Sequence, residues 1–306
     1  MSGVGLQHLS TAARDARRLA ALLAVPSHEI DVQRFPDGEL RVAAGPAAPT
    51  TIIYAPLDQP NEKLLVLLFA AEALRREGAK RLVLLAPYLP YMRQDAAFRP
   101  GEAISQRVIG RLFNETFDRV ITVDAHLHRT ATLQAIFPDI EADDLSAMPA
   151  IADALRGESL DAATVVVGPD EESRPWTGDL AARLGLACAV ARKTRHGDRS
   201  VSISFGDSSV LAGRPILLVD DIVSSGGTLI ACAKELAAAG AGAIDAVVTH
   251  ALFPVEMLGA FGAAGIRSIR STHSVPHPTN AITLDELFVD SLGSELMRAD
   301  TLESSR

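Results

Sequence analysis

Two spacings of apolar residues alternate along the chain. Short, continuously apolar runs, rich in β-branched residues, read as strands: TIIYAP (51–56), KRLVLLAP (80–87), DRVITVDA (118–125), ATVVVGP (163–169), PILLVDD (215–221) and AIDAVVTH (243–250). Between them, residues 61–77, 103–115, 174–184 and 227–239 carry the longer pattern of amphipathic helices. Strands without a polar face are covered on both sides, so the pattern predicts mainly parallel sheets flanked by helices, an α/β fold. A repeat sharpens this. LLFAAEALRREGAKRLVLLAP from Leu67 resembles LIACAKELAAAGAGAIDAVVTH from Leu229, matching Leu74 with Leu236 and Gly78 with Gly240. Each copy reads as a helix, a glycine stop and a buried strand. An offset near half the length predicts two similar domains, 1–146 and 147–306, joined around EADDLSAMPA (141–150).

Composition narrows the possibilities. With 306 residues, 48% of them hydrophobic, the chain supports two cores. A net charge of −9 and a pI near 5.4 argue against a broad nucleic-acid or anionic-membrane surface, so any bound anion is held locally. The start, MSGVGLQHLSTAARDARRLAALLAV, is broken by Asp15 and arginines and reads as a helix capped by Ser10 or Thr11 rather than a leader. The run LLVLLFAA stops at Glu72, too short to span a bilayer. Cys188 and Cys232 sit in apolar contexts and read as buried free thiols. A cytoplasmic protein is expected.

The densest chemistry lies in VDDIVSSGGT (219–228), where an apolar run ends in two aspartates and a Ser/Gly turn opens a helix. Ligands of open α/β sheets bind beyond the carboxyl ends of strands. The backbone N–H groups of Ser224, Ser225, Gly226, Gly227 and Thr228 at a helix N-terminus suit a phosphate monoester, with hydroxyls from Ser225 and Thr228. Like charge keeps Asp220 and Asp221 off that phosphate. They suit the vicinal hydroxyls of a sugar, or a hydrated Mg²⁺. One loop thus offers a grip on a sugar phosphate.

The stretch ILLVDDIVSSGGTL resembles the ribose 5-phosphate loop of the phosphoribosyltransferase-like fold. Four further stretches are similar to the synthetases of phosphoribosyl pyrophosphate (PRPP). RFPDGELRV (34–42) resembles their adenine-reaching segment, which implies stacking by Phe35 and acceptors from Asp37 and Glu39. YLPYMRQDAAFRPGEAIS (88–105) resembles their Arg-Gln-Asp segment in its archaeal-type form, implying nucleotide contacts from Arg93, Gln94, Asp95 and Arg99. ITVDAHLHR (121–129) resembles the segment whose His helps hold Mg²⁺, implying His126, with His128 a weaker candidate. ARKTRHGDRS (191–200) is similar to the catalytic flap, implying that Lys193 and Arg195 neutralise charge on the triphosphate. Each stretch also has a plain structural reading, such as a β-turn at PDG or a basic hairpin tip at 191–200.

One departure stands out. Where a small, glycine-containing pyrophosphate loop is expected, the chain has GPDEESRPW (168–176), with Asp170 at the metal-associated position but Glu171 and Glu172 beside it. Those carboxylates disfavour a pyrophosphate unless Mg²⁺ or Arg174 offsets them, or unless the loop turns them away. The resemblance implies an enzyme making PRPP and AMP from ATP and ribose 5-phosphate with Mg²⁺, metal-associated residues His126 and Asp170, and a homodimer or higher homo-oligomer. A phosphoribosyltransferase, a non-catalytic synthetase-associated protein and a diphosphokinase for another pentose phosphate remain open at this point.

Overall fold

In a computed structural model of the chain, residues 3–127, 129–158, 160–196, 200–205 and 210–304 are described. They form two compact units. One runs up to Leu145 and resumes at Asp285, and the other is Ser146–Leu284.

The first unit is built on a six-stranded parallel sheet of β1 (Val4–His8), β2 (Ser27–Glu29), β5 (Thr50–Tyr54), β6 (Arg81–Leu85), β7 (Arg119–Val123) and β8 (Glu141–Leu145), in the order β2-β1-β5-β6-β7-β8. Its crossovers use α1 (Ala13–Leu22), α2 (Pro60–Arg76) and α3 (Ser105–Thr116). Strands β5 and β7 are buried along their whole length, as their apolar runs require, and so is β1 although it carries Gln7 and His8. Helix α2 buries Val66, Leu67, Ala70, Ala71 and Leu74, the stripe of an amphipathic helix. Each such leucine contributes roughly 1.5–3 kcal/mol through burial. A separate antiparallel hairpin, β3 (Asp31–Arg34) with β4 (Leu40–Ala43), interrupts the alternation between β2 and β5.

The second unit begins with α4 (Met148–Arg156) and carries β9 (Val165–Gly168), β10 (Ala187–Val190), β13 (Ile216–Val223), β14 (Ile244–Ala251), β15 (Ile266–Thr272) and β16 (Asn280–Ile282), in the order β10-β9-β13-β14-β15-β16. Helices α5 (Arg174–Leu184), α6 (Gly227–Ala238) and α7 (Met257–Ala263) link them, and the hairpin of β11 (Arg192–His196) and β12 (Ser200–Ser204) lies between β10 and β13. The repeat is real at this level: α2–β6 and α6–β14 are its two copies, with Gly78 and Gly240 at positive φ after their helices.

Three expectations need correction. The second domain does not run to 306, because α8 (Asp285–Ser304) belongs to the first unit. The physical reason is charge. Glu295, with no exposed surface, receives Nε (2.7 Å) and Nη2 (2.9 Å) of Arg81 and Nη1 of Arg119 (2.9 Å), both arginines from starts of core strands. Burial alone would raise the Glu295 carboxyl, but the two arginines outweigh it and hold it below its usual value. Secondly, the N-terminal residues form β1, and α1 starts at Ala13 behind a 3₁₀ turn, Ser10–Ala12, without a side-chain cap from Ser10 or Thr11. Thirdly, both cysteines are free, but Cys188 is exposed because it lies on the sheet-edge strand β10; only Cys232 is buried, and burial pushes its thiol up. Among the described residues no helix is long and apolar enough to cross a membrane.

Candidate active site

In the second unit β9 and β13 pair in parallel from Val165 opposite Ile216 to Val167 opposite Leu218. Strand β9 then stops at Gly168 while β13 continues to Val223, so Asp220 and Asp221 emerge beside the turn that carries Asp170. Gly168 is needed for that turn: a Cβ there would lie 1.9 Å from Ser173 Oγ and 2.5 Å from Thr177 Oγ1. Both carboxylates of β13 are tied to the local backbone. Asp221 N donates to Asp220 Oδ1 (3.1 Å) and Ile222 N to Asp221 Oδ1 (2.8 Å). Burial, then the charge of Asp221, then that of Asp170, push the Asp220 carboxyl well above the usual carboxylate range. A concentration of negative charge of this kind is relieved by a cation or by sugar hydroxyls.

Beyond Val223 the chain passes through Ser224 and Ser225 to Gly226, the N-cap of α6, at φ +73°. That left-handed angle favours glycine, and space demands it, since a Cβ would lie 2.7 Å from two ring atoms of Phe261. Gly226, the N-cap, has no side chain with which to cap α6, and the first N–H groups of a helix have no partner within it. Ser225 and Gly227 are exposed there. The geometry expected from the sequence, donors at a helix N-terminus beside two aspartates, is present.

The DEES departure resolves within its own turn. Glu171–Ser173 form a 3₁₀ turn leading into α5, with Ser173 Oγ donating to Asp170 O (2.5 Å). Arg174 donates Nη2 (2.6 Å) and Nε (3.1 Å) to Glu171 Oε2, so this carboxylate is exposed and paired with a cation three residues on. Glu172 is exposed as well.

The nucleotide candidates lie in the first unit. PDG is a turn between β3 and β4, closed by Phe35 N on Glu39 O (2.8 Å) and Gly38 N on Phe35 O (2.9 Å). Asp37 Oδ1 accepts Glu39 N (3.1 Å), which commits this oxygen to the turn, and Phe35 stays 40% exposed at the tip, a large apolar face open to a partner. In the Arg-Gln-Asp segment Arg93 and Arg99 are exposed, while Gln94 Nε2 donates to Ala96 O (3.0 Å). Asp95 turns inward. Its carboxylate, 2% exposed, accepts Arg129 Nη1 (2.9 Å) and Arg129 N (3.1 Å), so it supports the segment rather than facing solvent.

His126 follows β7 in a loop that Asp124 enters at φ +40°, an angle uncommon outside glycine. The neighbouring Ala125 N donates to Asp144 Oδ1 (2.8 Å), and burial raises the Asp144 pKa to about 6. His128 lies outside the described residues. The β11–β12 register sets Lys193 opposite Ile203 and Arg195 opposite Val201, the hairpin expected there; the side chains of Lys193 and Arg195 lie outside what is described.

Sequence reasoning missed three supporting residues. Arg129 pairs with Asp95 and sits 5.2 Å from the Phe98 ring centroid. Glu102 Oε2 accepts Phe98 N (2.8 Å) and Arg99 N (3.1 Å), shaping the arginine loop. Asp144 holds the His126 loop from β8. Only Glu102 was within local reach, three residues from Arg99; the other two act across 34 and 19 residues. Among the described residues no group of three or more His, Cys, Asp or Glu side chains is arranged to hold a metal ion. Asp170 and Asp221 both act electrostatically on Asp220, and one or two such carboxylates are the donor number taken by a divalent cation that keeps its waters and also binds a substrate's phosphates.

Residues 6–116 match the N-terminal domain of ribose phosphate pyrophosphokinase, and residues 143–252 match the phosphoribosyl transferase domain. The chain is 33% identical over 274 residues to the ribose-phosphate pyrophosphokinase of Methanopyrus kandleri, covering 88% of this chain and 91% of the relative. It is 31% identical over 273 residues to the one from Brucella melitensis, covering 87% and 86%. The phosphoribosylpyrophosphate synthetase structure from Mycobacterium smegmatis superposes with a TM-score of 0.83 over 96% of this chain and 99% of that one, at 24% identity, a likeness of fold.

Proposed function

The chain belongs to the ribose-phosphate pyrophosphokinase family of enzymes, and from that premise we propose that it transfers the β,γ-diphosphoryl group of ATP to the 1-hydroxyl of ribose 5-phosphate, giving PRPP and AMP. The observation that carries this reading is the pairing, on one strand and the turn after it, of two carboxylates with a glycine-entered helix N-terminus. The 5-phosphate takes the N–H groups and hydroxyls of Ser224, Ser225, Gly226, Gly227 and Thr228. Asp220 and Asp221 accept from the 2- and 3-hydroxyls, which orients the 1-hydroxyl. That oxygen attacks the β-phosphorus, the bond to the α-phosphate oxygen breaks, and AMP departs. Catalysis of this kind is positioning plus charge neutralisation.

In this reading Phe35 stacks on adenine, and Asp37 and Glu39 accept from its amine. Arg93, Gln94 and Arg99 hold the triphosphate, while Asp95 acts behind them through Arg129. Lys193 and Arg195 neutralise the transferring group. Asp170 would hold a Mg²⁺ ion, which when bound would supply charge neutralisation on the phosphates; His126, in the first unit, is the other metal-associated candidate. The exposed Val32, Phe35, Leu65 and Phe69 on the hairpin and α2 support a homodimer or larger assembly that shares the adenine segment. Free thiols on both cysteines support a cytoplasmic setting.

Phosphorus NMR of the purified protein with ATP, Mg²⁺ and ribose 5-phosphate tests the reaction. AMP and a sugar pyrophosphate signal are expected, reduced by about 10³-fold or more in Lys193→Ala. Intact ATP beside normal ATP binding would overturn the catalytic reading, and turnover with another pentose phosphate alone would replace the substrate.

A further inference from the structure

The turn at Gly226 leans on a wall of three rings that no chemistry described so far uses. Its first member is Phe261 of α7, 1% exposed, whose edge fills the space a Gly226 side chain would need. Behind it stands Phe253, edge to face, with centroids 5.0 Å apart and planes at 90°. The third ring is His277, 4.4 Å from the Phe253 centroid. The same segment is pinned where the phosphate turn begins, since Leu252 N donates to Val223 O (2.9 Å).

Both nitrogens of His277 are committed. Thr279 N donates to Nδ1 (3.2 Å), which makes that nitrogen an acceptor and leaves the proton on Nε2, and Nε2 donates to Phe253 O (3.1 Å). Burial lowers the His277 pKa against the opposing pull of the Phe253 carbonyl, in keeping with a neutral ring. One imidazole therefore fixes both the ring and the backbone of Phe253, Phe253 fixes Phe261, and Phe261 fixes the face on which Gly226 makes its left-handed turn.

We propose that His277 is a positioning residue for the 5-phosphate turn, acting through Phe253 and Phe261 to hold the donors of residues 225–228 at their phosphate-binding spacing. The inference rests on the reading that this turn grips the 5-phosphate. Donors held in place before the ligand arrives bind it without an ordering cost, and a displacement near 1 Å is enough to lose that advantage.

The test is titration calorimetry with ribose 5-phosphate, together with steady-state kinetics, on the full protein and on His277→Ala, His277→Gln and Thr228→Val. In His277→Ala the affinity and KM for ribose 5-phosphate worsen by about tenfold, while the KM for ATP changes less than about twofold. The His277→Gln side chain carries an N–H that reaches for the Phe253 carbonyl, and it recovers most of the loss. A parallel rise in both KM values, or no change in ribose 5-phosphate affinity, overturns the positioning role. Thr228→Val separates the two layers. If it leaves ribose 5-phosphate binding intact, the phosphate-turn reading itself falls. If it weakens binding while His277→Ala does not, only the His277 inference falls.

Discussion

With their hairpins set aside, the two units have one topology. Each sheet runs second strand, first, third, fourth, fifth, sixth, and each hairpin is inserted between the second and third strands. They differ where the third strand turns into its helix. In the second unit that strand, β13, ends in Asp220 and Asp221, and α6 opens at Gly226 with Gly227 and Thr228 behind it. In the first unit the counterpart, β5, carries no charge, and α2 opens at Gln59, also left-handed at φ +48°, followed by Pro60. Proline has no N–H to offer an anion. Lys63 Nζ then binds Pro56 O (2.9 Å) and Asp58 Oδ1 (2.6 Å), so the loop is satisfied from within. The two halves share a backbone path, and of these two turns only the one after β13 follows paired carboxylates and enters its helix through glycine. Fold and chemistry are separable, since one backbone path carries two chemically different turns.

The comparison can be broken or sharpened by substitution, the largest expected effect coming from the first unit's closing helix. Glu295→Ala leaves Arg81 and Arg119 without their buried partner and should cost about 3–5 kcal/mol of stability, read by urea unfolding. A loss under about 1 kcal/mol would mean that α8 is held by apolar contacts such as Phe288 on Tyr54 instead. A smaller effect belongs to Asp144. Its folded-state pKa of about 6 lies above the ordinary 3.8, so the folded chain binds more protons than the unfolded one between those values. The carboxyl therefore costs nothing at acid pH, and its penalty grows as pH rises through that window. Asp144→Asn, which keeps an acceptor for Ala125 N, should unfold like the wild type near pH 4 and gain about 1 kcal/mol or less over it by pH 7, because the residue is exposed and solvent screens most of the penalty. A stability difference that does not change with pH would refute a raised Asp144 carboxyl.

Much of this was legible in the sequence where the cause is local. The six apolar runs became core strands because a doubly covered strand cannot hide its composition. The acid and glycine pattern at 219–228 was equally plain, since turn angle, donor supply and charge depend on neighbours in sequence. The pairing of Glu171 with Arg174 was one of the offered resolutions of the DEES turn and acts over three residues. What was not legible acts at long range. Short edge strands such as β2 and β16 have three residues each and no pattern to detect. The return of α8 depends on Glu295 meeting Arg81 across 214 residues, and the inward turn of Asp95 depends on Arg129. Nor does spacing announce that His277, Phe253 and Phe261 stand in a row behind Gly226.

The central claim, that one of two equivalent turns binds the sugar phosphate, is tested most directly by measuring ribose 5-phosphate affinity in Gly226→Ala and Gln59→Gly. Gly226→Ala puts a Cβ into the Phe261 ring at a left-handed angle and should weaken binding by at least about tenfold. Gln59→Gly relaxes a strained cap at the first unit's counterpart turn, which Pro60 follows, and should leave the affinity at the wild-type value. Equal losses in the two variants, or undiminished binding in Gly226→Ala, would contradict the account.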